Sequence, residues 1–393
     1  MTRSSLLVVF LATSSIANAQ SPIYFDFVTH NEETNQWNGT PFYMMNRARL
    51  ITLADHFQTN GATWNMQSDW VYLSNVLTKE TPMVTMSTAN KNIQRWLHED
   101  RGVEMDPHAH ESQYFYPDVA ALMDSIGLPE SKVMGGSIYN DYNGQNLWMN
   151  LVDGQYGVVF TDHFWRPDYL MGGGTPNHVD DLKYFGFWNP HDTDNYLMHD
   201  PNSHLRHIGT GCSIRISDTS SVASVMGQVY DLITRVQGGG YPVNCFYFQT
   251  VFFEQAELND LAYLQLVMDI SDSIDAIVEG GAADWRTFKQ AYTEWEADCG
   301  AEVFQWECGA VFTGVEQPST ANDAIVVSAV FSDRIVVTGM LPTTRYRLWT
   351  ALGQQVWSGS HIEDQRFDGA PSGLYILQVE EVGGVRSFRL IKE

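Results

Sequence analysis

Basic residues are scarce in this 393-residue chain: 22 Lys and Arg stand against 47 Asp and Glu, a formal net charge of -25. So acidic a surface repels phosphate backbones and anionic headgroups, which argues against nucleic acid or an anionic membrane as partner and favours neutral or cationic ligands. Cysteine is scarce too. The chain has four, Cys212, Cys245, Cys299 and Cys308, and their spacings resemble no zinc knuckle. Beyond the first residues no apolar run approaches the roughly 20 residues a membrane helix needs, so no transmembrane segment is expected in the mature chain. A glycine-rich phosphate loop is also missing, which weakens the case for an open nucleotide-binding sheet.

The two ends are informative. Met1–Ala19 reads as a secretory signal peptide, with Arg3 at its start, Leu6–Ala12 as its apolar centre and Ala17-Asn18-Ala19 before the cleavage point. The mature chain then begins near Gln20 and is exported. Export permits disulfides and argues against a cysteine nucleophile. The closeness of Cys299 and Cys308 favours their pairing, leaving Cys212 with Cys245, although three pairings are open. Aromatics make up 13% of the chain and include 12 Trp, more than a generic core demands. Some are candidates for sugar-stacking platforms, while most belong to the core.

Residues 20–313 form a main domain, 314–323 a linker without periodicity, and 324–393 a small β-sandwich of short alternating strands. Those strands are expected at Ala324–Val327, Arg334–Thr338, Arg345–Thr350, Gln355–Ser358, Leu374–Glu380 and Val385–Ile391. This tail resembles the C-terminal sorting domain of the type IX secretion system. The matching residues are Tyr346–Val356, Ser372–Val379 and the ending Phe388-Arg389-Leu390-Ile391-Lys392-Glu393. The resemblance implies a Bacteroidota-type source, the type IX secretion machinery as partner, and a secreted or cell-surface location. The Asn-Pro that usually opens such a domain is missing here.

In the main domain strand-like and helix-like segments alternate. Ile23–His30, Ala62–Gln67, Val103–His108, Lys132–Gly136, Gly157–Asp162, Asn244–Phe252 and Ala276–Glu279 read as extended. Arg47–Gln58, Trp70–Leu77, Asn90–Asp100, Tyr116–Ile126, Gln145–Leu151, Ser221–Val236, Glu254–Ile274 and Trp285–Trp295 read as helical. This order predicts an α/β fold: a distorted (β/α) barrel of seven or eight strands, with an open doubly wound sheet as the alternative.

In such a barrel the site gathers at the C-terminal strand ends. Polar clusters are expected there at His30–Glu33, Gln67–Asp69, Asp106–His110, Asp162–Arg166 and Glu254. In Asp106-Pro107-His108-Ala109-His110 the two imidazoles are two residues apart, so a strand would point both to one face, as a metal pair requires. These segments resemble the polysaccharide deacetylase-like family of the glycoside hydrolase/deacetylase superfamily. Thr29-His30-Asn31-Glu32 stands for its first acidic motif and Gly61-Ala62-Thr63-Trp64 for its next strand. Gly102-Val103-Glu104-Met105-Asp106-Pro107-His108 stands for its histidine strand, and Trp165-Arg166-Pro167 for its Arg-Pro motif. The resemblance implies a divalent metal, zinc first, held by Glu32, His108 and His110 with His30 as an alternative ligand. It implies a carbohydrate substrate and a deacetylase chemistry. Glu33 or Asp106 would act as general base, and Arg166 or His163 would steady developing negative charge. This chain departs from the family pattern where paired aspartates, a second histidine one helical turn on, and a late histidine are expected; Glu254 takes the last place.

Two other readings stand beside it. One is a glycosidase using Glu32 or Glu33 with Glu254. The other is a surface glycan-binding protein without catalysis. The stretch Met171–His207, with His178, His191, His199, His204 and His207, reads as long loops shaping a glycan cleft, with Trp165, Trp188 and Tyr196 as stacking groups.

Overall fold

The computed structural model describes residues 21–31, 35–109, 114–136, 147–171, 183–212, 214–310, 326–327, 330–338, 345–350, 355–362, 364–381 and 384–392. The signal segment 1–19, the linker 314–323, Glu32, Glu33, His110 and His178 lie outside the described residues.

The apolar run β1 (Ile23–His30) is buried along its length except at His30. After it come α1 (Thr40–Asn60), β2 (Trp64–Ser68), α2 (Trp70–Lys79), the single turn α3 (Pro82–Thr85), α4 (Ile93–Arg101), β3 (Glu104–Pro107), α5 (Tyr116–Ser125) and β4 (Val133–Gly135). Next are α6 (Leu147–Asp153), a short hairpin of β5 (Gln155–Tyr156) and β6 (Phe164–Trp165), then β7 (Tyr169–Met171), β8 (Tyr184–Trp188), β9 (Arg206–Thr210) and β10 (Ile214–Ile216). The main region closes with α7 (Val222–Gln237), β11 (Tyr247–Glu254), α8 (Leu261–Glu279), β12 (Asp284–Trp285), α9 (Phe288–Ala297) and β13 (Phe304–Glu307).

Local chemistry explains several boundaries. Asp69 caps α2 by accepting the Tyr72 N–H at 2.7 Å. Gly102 ends α4 in the left-handed conformation, φ 72°, and turns the chain straight into β3. Segment Ala276–Glu279 is not a strand. It is the last turn of α8, because the buried Leu264, Val267, Ile270 and Ile274 keep helical spacing up to Gly280. Trp285–Trp295 divides into β12 and α9. Gly157–Asp162 is likewise no strand, since the N–H groups of Val158, Val159 and Phe160 go to the Asp118 carboxylate and not to a ladder.

The first sheet runs β10-β11-β1-β2-β3 with every pair parallel, and β12 adds to β1. The second runs β13-β8-β9-β7-β4, where β4, β7 and β9 are parallel and β8 and β13 antiparallel. One parallel bridge, His108 with Gly135, joins the two sheets edge to edge. Among the described residues no ladder closes the ring. The expected distorted (β/α) barrel is thus found in part, as a mixed α/β arrangement of parallel strands and helices in which β8 and β13 run antiparallel. Side chains tie the other seam, where Gln249 of β11 donates to the Thr210 carbonyl of β9 at 3.3 Å.

Disulfides link Cys212 to Cys308 and Cys245 to Cys299, which corrects the expected pairing. Proximity in sequence misled because Cys308 follows β13, whose neighbour β8 leads through β9 to Cys212, whereas Cys299 follows α9 and meets Cys245, two residues before β11.

Helices pack against the outer sheet faces through Phe25, Phe27, Leu50, Phe57, Leu97, Val267 and Ile270. The inner face carries a second apolar cluster, including Tyr24, Val28, Val133, Tyr169, Met171, Ile208 and Phe248. Along β1 these inner residues alternate with outward ones, so Tyr24, Asp26, Val28 and His30 share the inner face.

Among its described residues the C-terminal region forms strands and no helix. Strands β14 (Val326–Val327) and β16 (Val337–Thr338) pair antiparallel. Strands β15 (Val330–Phe331), β17 (Arg345–Thr350), β18 (Gln355–Gly359), β19 (Gly373–Glu381) and β20 (Gly384–Lys392) form a sheet in the order β15-β20-β19-β17-β18. Its own core includes Tyr346, Leu348, Tyr375, Leu377 and Leu390.

Candidate functional site

The inner-face residues at the C-terminal ends of β1, β2 and β3 are polar: His30, Gln67 and His108. Register brings them together. His30 pairs with Gln67 across β1 and β2, and the His108 N–H donates to the Ser68 carbonyl at 3.0 Å. The His30 and His108 rings lie 4.4 Å apart between centroids.

His108 is fully buried. Its Nδ1 stands 3.1 Å from Gln67 Oε1. A carbonyl oxygen only accepts, so this bond is donated by the Nδ1 N–H. The Gln67 amide is itself held, its Nε2 donating to Met171 Sδ at 3.4 Å. Gly135 and Gly136 make room for both side chains. A Cβ on Gly135 would stand 2.0 Å from Gln67 Oε1, and one on Gly136 2.3 Å from His108 Cε1.

Beneath the rings lies a bonded amide network. Asn31 donates to Ser68 Oγ at 2.9 Å and to Gln255 Oε1 at 3.2 Å, and its Oδ1 accepts the Asp69 N–H at 3.0 Å. Gln255 exchanges two hydrogen bonds with Asn46 of α1. These buried bonds lock the ends of β1, β2 and β11 to each other.

Glu254 ends β11 as the register partner of His30. Its carboxylate pairs with Arg215 at 3.1 Å, both side chains reaching solvent. The Arg215 guanidinium lies 4.4 Å from the centroid of Phe252, whose ring contacts His30 at 4.8 Å. Sequence reasoning marked Gln67 as a strand-end polar residue but missed the two glycines and Arg215 as parts of this site. The Gly135-Gly136 pair at the end of a strand was the signal for a close approach.

Three other expected residues lie elsewhere. Asp106 sits one inner-face position below His108 and is 1% exposed. Asn65 and Ser131 both donate to its carboxylate, so a general-base role at the rings is not what its surroundings favour. Burial raises its pKa from the usual carboxylate range. The same holds for neighbouring Glu104, through burial and then the Asp106 charge, and for Asp26, through burial and then the Glu104 charge. Arg166 precedes the N-terminal end of β7, opposite the end that carries the histidines, and stands 3.8 Å from Asp168. His163 lines a cavity of about 260 Å³ with Pro107, Met123, Asp124 and Ser131 on the flank of α5. The strand expected to carry both residues to the site is the Asp118-bound loop instead.

Trp165, Trp188 and Tyr196 are buried, so they are core and not stacking platforms. His207 is buried as well, bonded through Nδ1 to the Tyr196 hydroxyl at 2.6 Å. Among the described residues no group of three or more His, Cys, Asp or Glu is arranged to hold a metal ion. His30 and His108 supply two donors.

No family model and no curated protein matches the sequence. Solved structures give distant likenesses. A 4-alpha-glucanotransferase from Thermococcus litoralis aligns at 11% identity and TM-score 0.42, over 70% of this chain and 40% of its own. This chain thus spans two fifths of that enzyme's length. A GH57 branching enzyme from Thermococcus kodakaraensis aligns at 7% identity and TM-score 0.41, over 70% of this chain and 71% of its own. A candidate polysaccharide deacetylase from Mycobacterium smegmatis aligns at 8% identity and TM-score 0.34, over 68% of this chain and 94% of its own.

Proposed function

We propose that this chain is an exported carbohydrate-active hydrolase whose site is the His30–His108 cluster, and that it removes acyl groups from a glycan with the help of a divalent metal. The observation that carries this reading is the contact of the two imidazoles at neighbouring strand ends, with Gln67 bonded to Nδ1 of His108. An ion, zinc first, would be held by His30 and His108 together with Glu32 and His110. A bound ion of this kind lowers the pKa of water and polarises a carbonyl.

The chain's own residues supply the rest. Gln67 and Gly136 hold His108 in place. Glu33 is the candidate base, since Asp106 is committed to Asn65 and Ser131. Arg215, poised over Phe252, replaces Arg166 as the cation beside the rings. The C-terminal β unit serves export through the type IX machinery and delivery to the cell surface.

A glycosidase reading has one observation in its favour: Glu254 stands beside His30 with its carboxylate partly open to solvent. With Glu32 or Glu33 it would form the acid pair such chemistry needs, about 5 Å apart for retention or about 6.5–9.5 Å for inversion.

Acetate and reducing-sugar release from acetylated glycans separate these readings. Acetate release abolished by His108→Ala supports deacetylation. Reducing-sugar release abolished by Glu254→Gln and kept in His108→Ala contradicts it. Binding without either product leaves a glycan-binding protein.

A further inference from the structure

The hairpin of β5 and β6 exposes apolar side chains that a folded protein normally hides. Tyr156 is 60% exposed, Val158 54%, Val159 51% and Phe164 50%. Tyr156 and Phe164 face each other across the two strands with ring centroids 5.3 Å apart.

The fold holds this surface out deliberately. Asp118 of α5 is fully buried, and its carboxylate accepts the N–H groups of Val158 at 2.9 Å, Val159 at 2.8 Å and Phe160 at 2.9 Å. A Cβ on Gly157 would stand 2.3 Å from Asp118 Oδ1, so the loop is shaped around that carboxylate. Three N–H donors on one buried anion make a rigid tip, since charge-assisted bonds are the strong ones.

A chain of contacts leads from this loop to the site. Phe160 packs 5.9 Å from Trp70, and Trp70 stacks on Tyr114 at 4.1 Å with the rings 8° from parallel. Trp70 opens α2 directly after Asp69, which is bonded to Asn31 beside His30.

We infer that Tyr156, Phe164 and the Trp70–Tyr114 stack form one face that binds a neutral polysaccharide chain leading to the His30–His108 cluster. The inference rests on the carbohydrate reading above and adds that the substrate is a polymer held several sugar units from the reacting one. Pyranose rings present C–H faces that pack on aromatic rings, and their hydroxyls suit a partly wet rim. Charge selects against other occupants. Asp153 just before the hairpin and Asp162 in its loop are exposed, and the chain carries a net charge of -25. A second copy or an anionic lipid surface would be repelled there, whereas a neutral polyol is not.

The test is affinity electrophoresis of the purified chain in gels containing hydroxyethyl cellulose, xylan or glycol chitin. Wild type should be retarded by at least one, and Tyr156→Ala/Phe164→Ala should weaken that retention roughly tenfold. Both positions are exposed, so folding is not at stake. Hydrolysis of a small acetyl ester should be unchanged in this double variant and lost in His108→Ala. Equal retention of wild type and double variant, or no retention of wild type in any gel, overturns the glycan face. So does a wild-type dimer in sedimentation that the double variant dissolves. A retained wild type that hydrolyses no ester overturns the hydrolase reading alone and leaves the face standing.

Discussion

His108 and Gln67, one strand apart, form the hinge of the site: Nδ1 of the imidazole donates to the amide oxygen across 3.1 Å, with both residues fully buried. Because the amide oxygen cannot donate, it selects one tautomer. Gln67→Leu removes that selection and leaves a buried N–H without its acceptor. If His108 holds the proposed ion, metal affinity should fall about 10–100-fold, the range for partners of metal-bound histidines. Gln67→Glu keeps an acceptor and should retain most of the affinity. Zinc titration of the three proteins decides; equal affinities would mean that the bond has no orienting role.

Gly136 tests the same geometry from the other side. Its φ is 62°, and an added Cβ meets the His108 ring. Gly61 has φ 70° with nothing within 4 Å of an added Cβ. Gly61→Ala should therefore cost only backbone strain, about 1–2 kcal/mol. Gly136→Ala should cost more and also abolish hydrolysis. Urea unfolding with acetate release on both variants provides the comparison. Equal stability loss with activity intact in both would show that the ring is free to move aside.

The carboxylates Asp26, Glu104 and Asp106 predict an inverse pH dependence of stability. Each has a pKa raised in the folded protein, first by burial. Between the unfolded carboxylate value near 4 and the raised folded value, the folded state holds more protons than the unfolded one. Stability therefore falls as pH rises from about 4 into the neutral range, by about 1.4 kcal/mol per pH unit for each full proton difference. Asp26→Asn removes one such group and should flatten the slope, with its largest gain in stability at the upper end. Urea unfolding from pH 5 to 8 measures this; a wild type that gains stability with pH would refute it.

The disulfides give a covalent prediction. Peptide mapping without reduction should join the Cys212 peptide to that of Cys308 and the Cys245 peptide to that of Cys299. The Cys212–Cys308 bridge spans 96 residues, so Cys212→Ser/Cys308→Ser should lose about 4 kcal/mol. A Cys299–Cys308 peptide would contradict the strand order itself.

What the sequence disclosed follows from range. Alternation placed β1, β2, β3 and β4, because buried strands between amphipathic helices leave a local signature. It also marked His30 and His108 as strand-end residues. It misplaced 157–162, because the acceptor that claims those N–H groups, Asp118, lies 40 residues away. It missed antiparallel β8 and β13, whose pairing joins Phe185 to Trp306 across the chain. Composition reveals aromatic content and not depth, so it does not show that Trp165 and Trp188 are core residues. Arg215 escaped notice since its link to Glu254 exists only once β10 and β11 are adjacent.

The central claim is that His30 and His108 hold a catalytic metal. Elemental analysis of the purified chain, wild type beside His108→Ala, tests it most directly. The account predicts about one equivalent of zinc in the wild type and its loss in the variant. No divalent metal in either protein, or equal zinc in both, would contradict it.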